Sequence, residues 1–199
     1  MVTNVLLTGV GGQGIITAST ILSQACRLAG WEVKKSEVHG MSQRGGSVNS
    51  YVRFSPDEPI ASPLIPEGRA DVLMAFEPLE GLRQIRQAAE DAVVMVEERR
   101  IVPVTVNLPG FSYPEDVLER LRASGRDVRS LRATAAAAEL GEPRAANTVM
   151  LGALSTLLEL PDDAWRAAME LVLKPNALEV NVRAFEAGRE LAATQAAGA

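Results

Sequence analysis

The stretch Gly9-Val10-Gly11-Gly12-Gln13-Gly14 offers the clearest chemistry in the chain. It follows a short apolar run, Asn4-Val5-Leu6-Leu7-Thr8, and opens an apolar-periodic segment through Ile15, Ile16, Ile21, Leu22 and Leu28. A strand, a glycine turn and a helix laid end to end are the context in which G-x-G-x-x-G cradles phosphate. Gly9 is expected to allow the tight turn, and Gly11 and Gly12 to let another group approach the backbone. Gly14 is expected to let the helix pack close to the strand. The free N–H groups at the helix start then favour an anion. The same residues also read as an ordinary strand-to-helix turn with nothing bound, and both readings stay open here.

A second polar, glycine-rich stretch runs from Glu37 to Gly46 and holds the only histidine, His39. Arg44 stands beside Gly45 and Gly46 and offers a rigid fork of donors for a phosphate or carboxylate. It could equally pair with a buried acid or with a subunit partner. His39 reads more readily as a hydrogen-bonded structural residue than as a base. With one histidine and one cysteine in the chain, no metal site is expected. Cys26 falls in the apolar part of the first helix and reads as a core filler. A dinucleotide fold would close its second strand with an acid that holds the ribose. Lys34 and Lys35 occupy that neighbourhood, with Glu37 just past them, which disfavours NAD and leaves NADP, another phosphate-bearing ligand or no nucleotide.

The elements that must position these loops follow from periodicity. After the first helix and Gly30, Trp31 to Lys35 is expected as a second strand and Ser47 to Phe54, by its alternation, as a third. Asp71 to Phe76 and Ala92 to Val96 read as buried strands, with a helix over Leu79 to Glu90 between them. Val102 to Val106 reads as an edge piece because Pro103 cannot donate to a ladder. Pro114 to Ala123 is expected as a helix and Val128 to Arg132 as the last strand. From Thr134 onward the chain reads as helical. Ala135 to Leu140 and Asn147 to Leu160 come first, followed by a helix capped by Asp162 that carries Trp165, Met169 and Val172. A final helix carries Leu178, Val182 and Phe185. These apolar stripes are expected to pack the core and to leave some surface for a partner. Residues 192–199 read as a frayed tail. The predicted fold is a three-layer, Rossmann-like α/β domain spanning residues 1–199. Its mainly parallel sheet is covered on both faces, with a helical C-terminal third. The loops at Gly9 to Gly14 and His39 to Gly46 should meet beyond the carboxyl ends of the strands.

At 199 residues the chain suits one well-buried core. Apolar residues make up 47% and mean hydropathy is +0.06, as expected of a globular chain, and no apolar run reaches the ~18 residues of a membrane span. A net charge of −5 gives no general support for nucleic-acid binding, and none is expected. A start without a basic flank, together with a single cysteine, points to a reducing, cytoplasmic setting.

Four stretches together resemble one family: GVGGQG at Gly9, HGMSQRGGSV at His39, ADVLMAFEPLEGLR at Ala70 and NTVMLGAL at Asn147. The chain resembles the gamma subunit, or gamma domain, of the 2-oxoacid:ferredoxin oxidoreductases over nearly its whole length. It is most similar to the small (beta) subunit of the indolepyruvate branch. The resemblance implies oxidative decarboxylation, in which a 2-oxoacid and coenzyme A become an acyl-CoA and CO2 while ferredoxin is reduced. Thiamine diphosphate, Mg2+ and [4Fe-4S] clusters would do the difficult chemistry. This chain shows no GDG…N thiamine motif and no cysteine cluster, so those groups are expected on a larger partner subunit and none on this chain alone. The family's motifs fall on Gly9, Gly11, Gly12, Gln13 and Gly14, and on Ser42, Gln43, Arg44, Gly45 and Gly46, with His39 and Asn147 as further candidates. These loops are expected to hold CoA phosphates or to close the active site at the subunit contact. Two other readings remain open: a stand-alone NADP- or flavin-binding oxidoreductase, and a purely structural scaffold subunit.

Overall fold

The computed structural model describes residues 1–39, 46–101 and 112–196. Six strands form one sheet in the order β2-β3-β1-β4-β5-β6: β1 (Thr3–Val10), β2 (Glu32–His39), β3 (Ser47–Ser55), β4 (Ala70–Ala75), β5 (Ala88–Glu97) and β6 (Asp127–Leu131). β1, β4, β5 and β6 pair in parallel, and β3 runs antiparallel to both β1 and β2. The described helices are α1 (Ile15–Leu28), α2 (Pro78–Gln84), α3 (Val117–Arg122), α4 (Ala133–Glu139), α5 (Ala146–Ser155), α6 (Asp162–Val172) and α7 (Pro175–Ala196).

The sheet is buried on both faces, which is why β1 and β4 read as continuous apolar runs. Alternate residues divide between two cores. Val5, Leu7, Met74 and Met95 pack with α1, α5, α6 and α7 on one face. Leu6, Leu73, Val94 and Val96 meet Leu79 of α2 and Val117 and Leu121 of α3 on the other. Cys26 is fully buried in the first of these cores, as a core filler should be, and burial pushes its thiol up to about 12.

Several elements differ from their sequence reading. β2 runs on to His39, in register with Val48 of β3, so Glu37, Val38 and His39 belong to a strand and not to the loop. The helix expected to reach Glu90 ends at Gln84, and a 3-10 turn over Ile85–Gln87 leads straight into β5. Tertiary pairing decides this. Ala88 aligns with Ala70 of β4, and the Arg126 guanidinium donates to the Ala88 and Ala89 carbonyls, each at 2.9 Å. α5 stops at Ser155, where the hydroxyls of Ser155 and Thr156 donate to the Gly152 and Ala153 carbonyls at 2.7 and 2.8 Å and compete with helix continuation. Asp162 makes no capping bond. Its carboxylate pairs with Arg189 of α7, which holds it below the usual aspartate range. The piece expected at Val102 to Val106 lies outside the described residues.

The C-terminal stripes mostly turn inward. Trp165, Met169 and Phe185 are buried, with the Trp165 and Phe185 rings 5.3 Å apart, while Val172, Leu178 and Val182 are half-buried and Leu171 of α6 is exposed. α7 continues through residues 192–196, and Ala192 is buried. α5 and α7 cross backbone to backbone. A Cβ on Gly152 would sit 1.9 Å from the Phe185 carbonyl oxygen, and one on Gly188 1.9 Å from that of Val149. That crossing sets where the N-terminus of α5, with Asn147, comes to lie.

Candidate functional site

The glycine loop joins β1 to α1 at the point where the chain turns from one side of the sheet to the other. Open α/β sheets bind ligands at such a point. Gly9 is still within β1. A Cβ there would meet Gln13 Oε1 at 2.7 Å and Phe76 Cβ at 2.9 Å, so Gly9 gives room to neighbours and does not make a tight turn. Gln13 is an internal strut: its Oε1 accepts the Val10 N–H at 2.7 Å, and its Nε2 donates to the Phe76 carbonyl. Gly11 donates its N–H to the Gly46 carbonyl at 2.9 Å, which joins the loop to the start of β3. Gly12 has φ +105° and faces open space. Gly14 caps α1 in the left-handed region, with φ 80°, and no side chain caps that helix. A Cβ on Gly14 would lie 2.6 Å from Asn147 Nδ2, so the close approach there is to α5 and not to a strand.

Asn147 is buried at the start of α5, and its Nδ2 donates to the Gly14 carbonyl at 3.3 Å. Its Oδ1 accepts the Thr148 N–H at 3.0 Å, and Thr148 Oγ1 donates to Asn181 Oδ1 of α7 at 2.6 Å. A chain of hydrogen bonds thus runs from α7 through α5 to the glycine loop.

A cleft of about 660 Å³ opens beyond the carboxyl ends of β1, β4 and β5. Gly11 to Gly14 and Thr17 form one wall, and Asn147 and Met150 of α5 another. Glu97 ends β5 on its floor, 4% exposed. Its Oε1 accepts the Arg99 N–H and its Oε2 the Thr134 N–H, each at 2.9 Å. Burial nevertheless raises its pKa above the ordinary value, outweighing the lowering effect of those N–H groups. Arg99 and Arg144 stand exposed at the rim, and neither guanidinium has a partner among the described residues. Two cations without a partner among the described residues, a helix start with no side-chain cap and an open glycine loop make this cleft suited to a phosphate-bearing anion.

Of the residues singled out from sequence, the fold brings Gly11, Gly12, Gln13, Gly14 and Asn147 together, and Gly46 reaches them through its carbonyl. The backbone of His39 lies on β2, two strands away from Gly9 in the same row as Val48. Ser42, Gln43, Arg44 and Gly45 lie outside the described residues. Lys35 is engaged by Glu37 at 2.7 Å and Thr20 at 2.9 Å. β3 lies between β1 and β2, so no residue of β2 borders the glycine loop as a ribose-binding acid would. Glu97, Arg99, Thr134 and Arg144 were missed. The rule that ligands sit beyond the carboxyl ends of strands pointed to Glu97 and Arg99, which directly follow a buried strand. Nothing local marked Arg144. Among the described residues there is no group of three or more His, Cys, Asp or Glu placed to hold a metal ion, and no helix long and apolar enough to cross a membrane.

The profile of the pyruvate ferredoxin/flavodoxin oxidoreductase family matches residues 4–191. An indolepyruvate oxidoreductase subunit IorB from Thermococcus kodakarensis is 39% identical over 190 residues, covering 93% of each chain. The keto/oxoacid ferredoxin oxidoreductase gamma subunit of Geobacter sulfurreducens shares the fold, with a TM-score of 0.72 at 22% identity over 96% of this chain and 99% of that one. The 2-oxoglutarate:ferredoxin oxidoreductase of Magnetococcus marinus, solved with 2-oxoglutarate, coenzyme A and succinyl-CoA bound, does so with a TM-score of 0.74 at 22% identity. It covers 97% of this chain and 31% of that one.

Proposed function

Since the chain belongs to the pyruvate ferredoxin/flavodoxin oxidoreductase family, as a small subunit of a 2-oxoacid oxidoreductase, we propose that its substrate is indolepyruvate or a related aryl pyruvate and that its cleft holds the phosphates of coenzyme A. The complex converts the 2-oxoacid and CoA to an acyl-CoA and CO2, passing the electrons to ferredoxin. Thiamine diphosphate with Mg2+ and the [4Fe-4S] clusters belong to a larger partner subunit, which supplies the carbanion and electron chemistry. The donor set of this chain does not fit them: its one thiol is buried in α1. Aryl specificity rests on the names of its relatives, and the pocket for the aryl group is assigned to the partner. The cytoplasm is the setting in which such a complex would meet ferredoxin.

The observation that carries the CoA reading is the pair Arg99 and Arg144, without a partner among the described residues, at the rim of a cleft whose wall is the open glycine loop. This chain binds and orients the anion, while Ser42 to Gly46, with Arg44 as a further guanidinium, closes the cleft at the subunit contact. The test uses the two-subunit complex and assays dye reduction dependent on both 2-oxoacid and CoA. Arg144→Ala is expected to raise the KM for CoA by about tenfold, the lower end of what a hydrogen bond to a charged group contributes, and that for the 2-oxoacid far less. Equal effects on both substrates, or loss of subunit association, would support the scaffold reading instead.

A further inference from the structure

Resting on that reading of the cleft, we propose that Glu97 is a positioning residue that holds Arg99 at the rim for the anion, by clamping the exit of β5 to the start of α4. Three hydrogen bonds make the clamp. Glu97 accepts the Arg99 N–H and the Thr134 N–H at 2.9 Å each, and the Glu98 N–H donates to the Leu131 carbonyl at 2.9 Å. The short arch that follows is caught again at its far end, where the Ile101 N–H donates to Glu77 Oε1 at 3.4 Å. Glu77 is itself buried, accepts the Tyr113 hydroxyl at 2.6 Å and caps α2 through the Glu80 N–H at 3.0 Å. Arg99 therefore stands on a backbone arch between two buried carboxylates, while its own guanidinium has no partner among the described residues.

The choice of a carboxylate at Glu97 is chemical. Both tethered groups are N–H donors, and only an ionised carboxylate offers an acceptor to each. An amide of the same size accepts with one atom and presents N–H to N–H with the other. The negative charge is turned into backbone donors at the first turn of α4, which favour it, while burial works against it. In Glu97 one oxygen goes to each tether.

The experiment is a double-mutant cycle in the two-subunit complex with Glu97→Gln, Arg99→Ala and both together. It reads the KM for CoA, the KM for the 2-oxoacid and the Tm. Arg99→Ala is expected to raise the CoA KM about tenfold. Glu97→Gln is expected to raise it severalfold, with a much smaller change for the 2-oxoacid, and the double variant should be no worse than Arg99→Ala alone. Should Glu97→Gln fail to assemble, Glu97→Asp keeps the charge, shortens the tether and is expected to shift the CoA KM in the same direction. Multiplying effects in the double variant would overturn the proposal, because Glu97 would then not act through Arg99. So would a Glu97→Gln change that lowers Tm and moves both KM values alike. An Arg99→Ala effect on CoA with none from Glu97→Gln removes the proposal and leaves the CoA reading standing. Neither Arg99→Ala nor Arg144→Ala affecting CoA removes both.

Discussion

Single residues in this site act through backbone geometry as much as through charge. Gly14 needs a positive φ and leaves no room for a Cβ beside Asn147, so Gly14→Ala is expected to cost more than about 1 kcal/mol, read by chemical denaturation. Gly12 also has a positive φ but faces open space. Gly12→Val should therefore meet no clash but strain the loop backbone, and it is expected to lose CoA-dependent activity in the complex; full activity would take the loop out of the site. Asn147→Ala removes the buried link to the Gly14 carbonyl and to the Thr148 N–H. It should cost about 1–2 kcal/mol and raise the CoA KM, measured by denaturation and by steady-state kinetics. Glu97 has a pH signature of its own. Burial raises its folded pKa, so the native state holds this proton at pH values where the unfolded chain has lost it. Its contribution is complete at pH below the ordinary value of 4.5 and is lost as pH rises through the raised folded value. The stability of the wild type relative to Glu97→Gln should accordingly fall with rising pH across that window, followed as Tm. A flat difference would show that the carboxylate does not titrate there.

At the scale of elements, the site depends on a helix crossing remote from it. α5 delivers Asn147 to the glycine loop only because α5 and α7 meet at Gly152 and Gly188 with no side chain between them. A methyl group at either position meets a backbone carbonyl that no rotamer can move. Gly152→Ala or Gly188→Ala is expected to destabilise by about 3 kcal/mol or more, seen as a large loss of Tm or of soluble protein. A variant with unchanged Tm would mean that the helices separate freely. β5 shows the opposite dependence of local structure on its surroundings. Its first residues carry good helix-forming alanines and Glu90, yet Ala70 across the sheet and the Arg126 guanidinium draw them into a strand.

For the whole molecule, a doubly covered sheet with an open cleft beyond the carboxyl ends of its strands fits the proposed role of a subunit that binds and orients. The apolar stripes of α6 and α7 are largely used inside the fold, with Leu171 left exposed. The isolated chain is expected to contain no iron, to bind no thiamine diphosphate tightly and to reduce no dye. The mixture with the large subunit should show 2-oxoacid oxidation that neither chain shows alone. Iron content, thiamine binding and dye reduction on each chain and on the mixture check this. NADPH- or flavin-linked activity from this chain by itself would sink the reading.

What the sequence determined by itself is what local patterns encode. The strand–glycine–helix unit at Gly9 to Gly14 was legible because turn chemistry and periodicity are short-range. The buried strands β1, β4 and β5 were legible because a parallel sheet covered on both faces demands unbroken apolar runs. Four spaced stretches were enough to place the family. Tertiary structure alone decided which residues share the cleft. Glu97 and Arg99, at the exit of β5, lie far in sequence from the glycine loop and from Arg144, and no periodicity links them. Gly9 and Gly14 were read as serving the turn and the strand, but their missing Cβ atoms serve Gln13, Phe76 and Asn147. The inward face of α6 and the true start of β5 were likewise hidden, because each is settled by what the rest of the fold packs or pairs against it. Long-range contacts override local propensity wherever burial and hydrogen bonding across the sheet outweigh the few tenths of a kcal/mol that propensity contributes per residue.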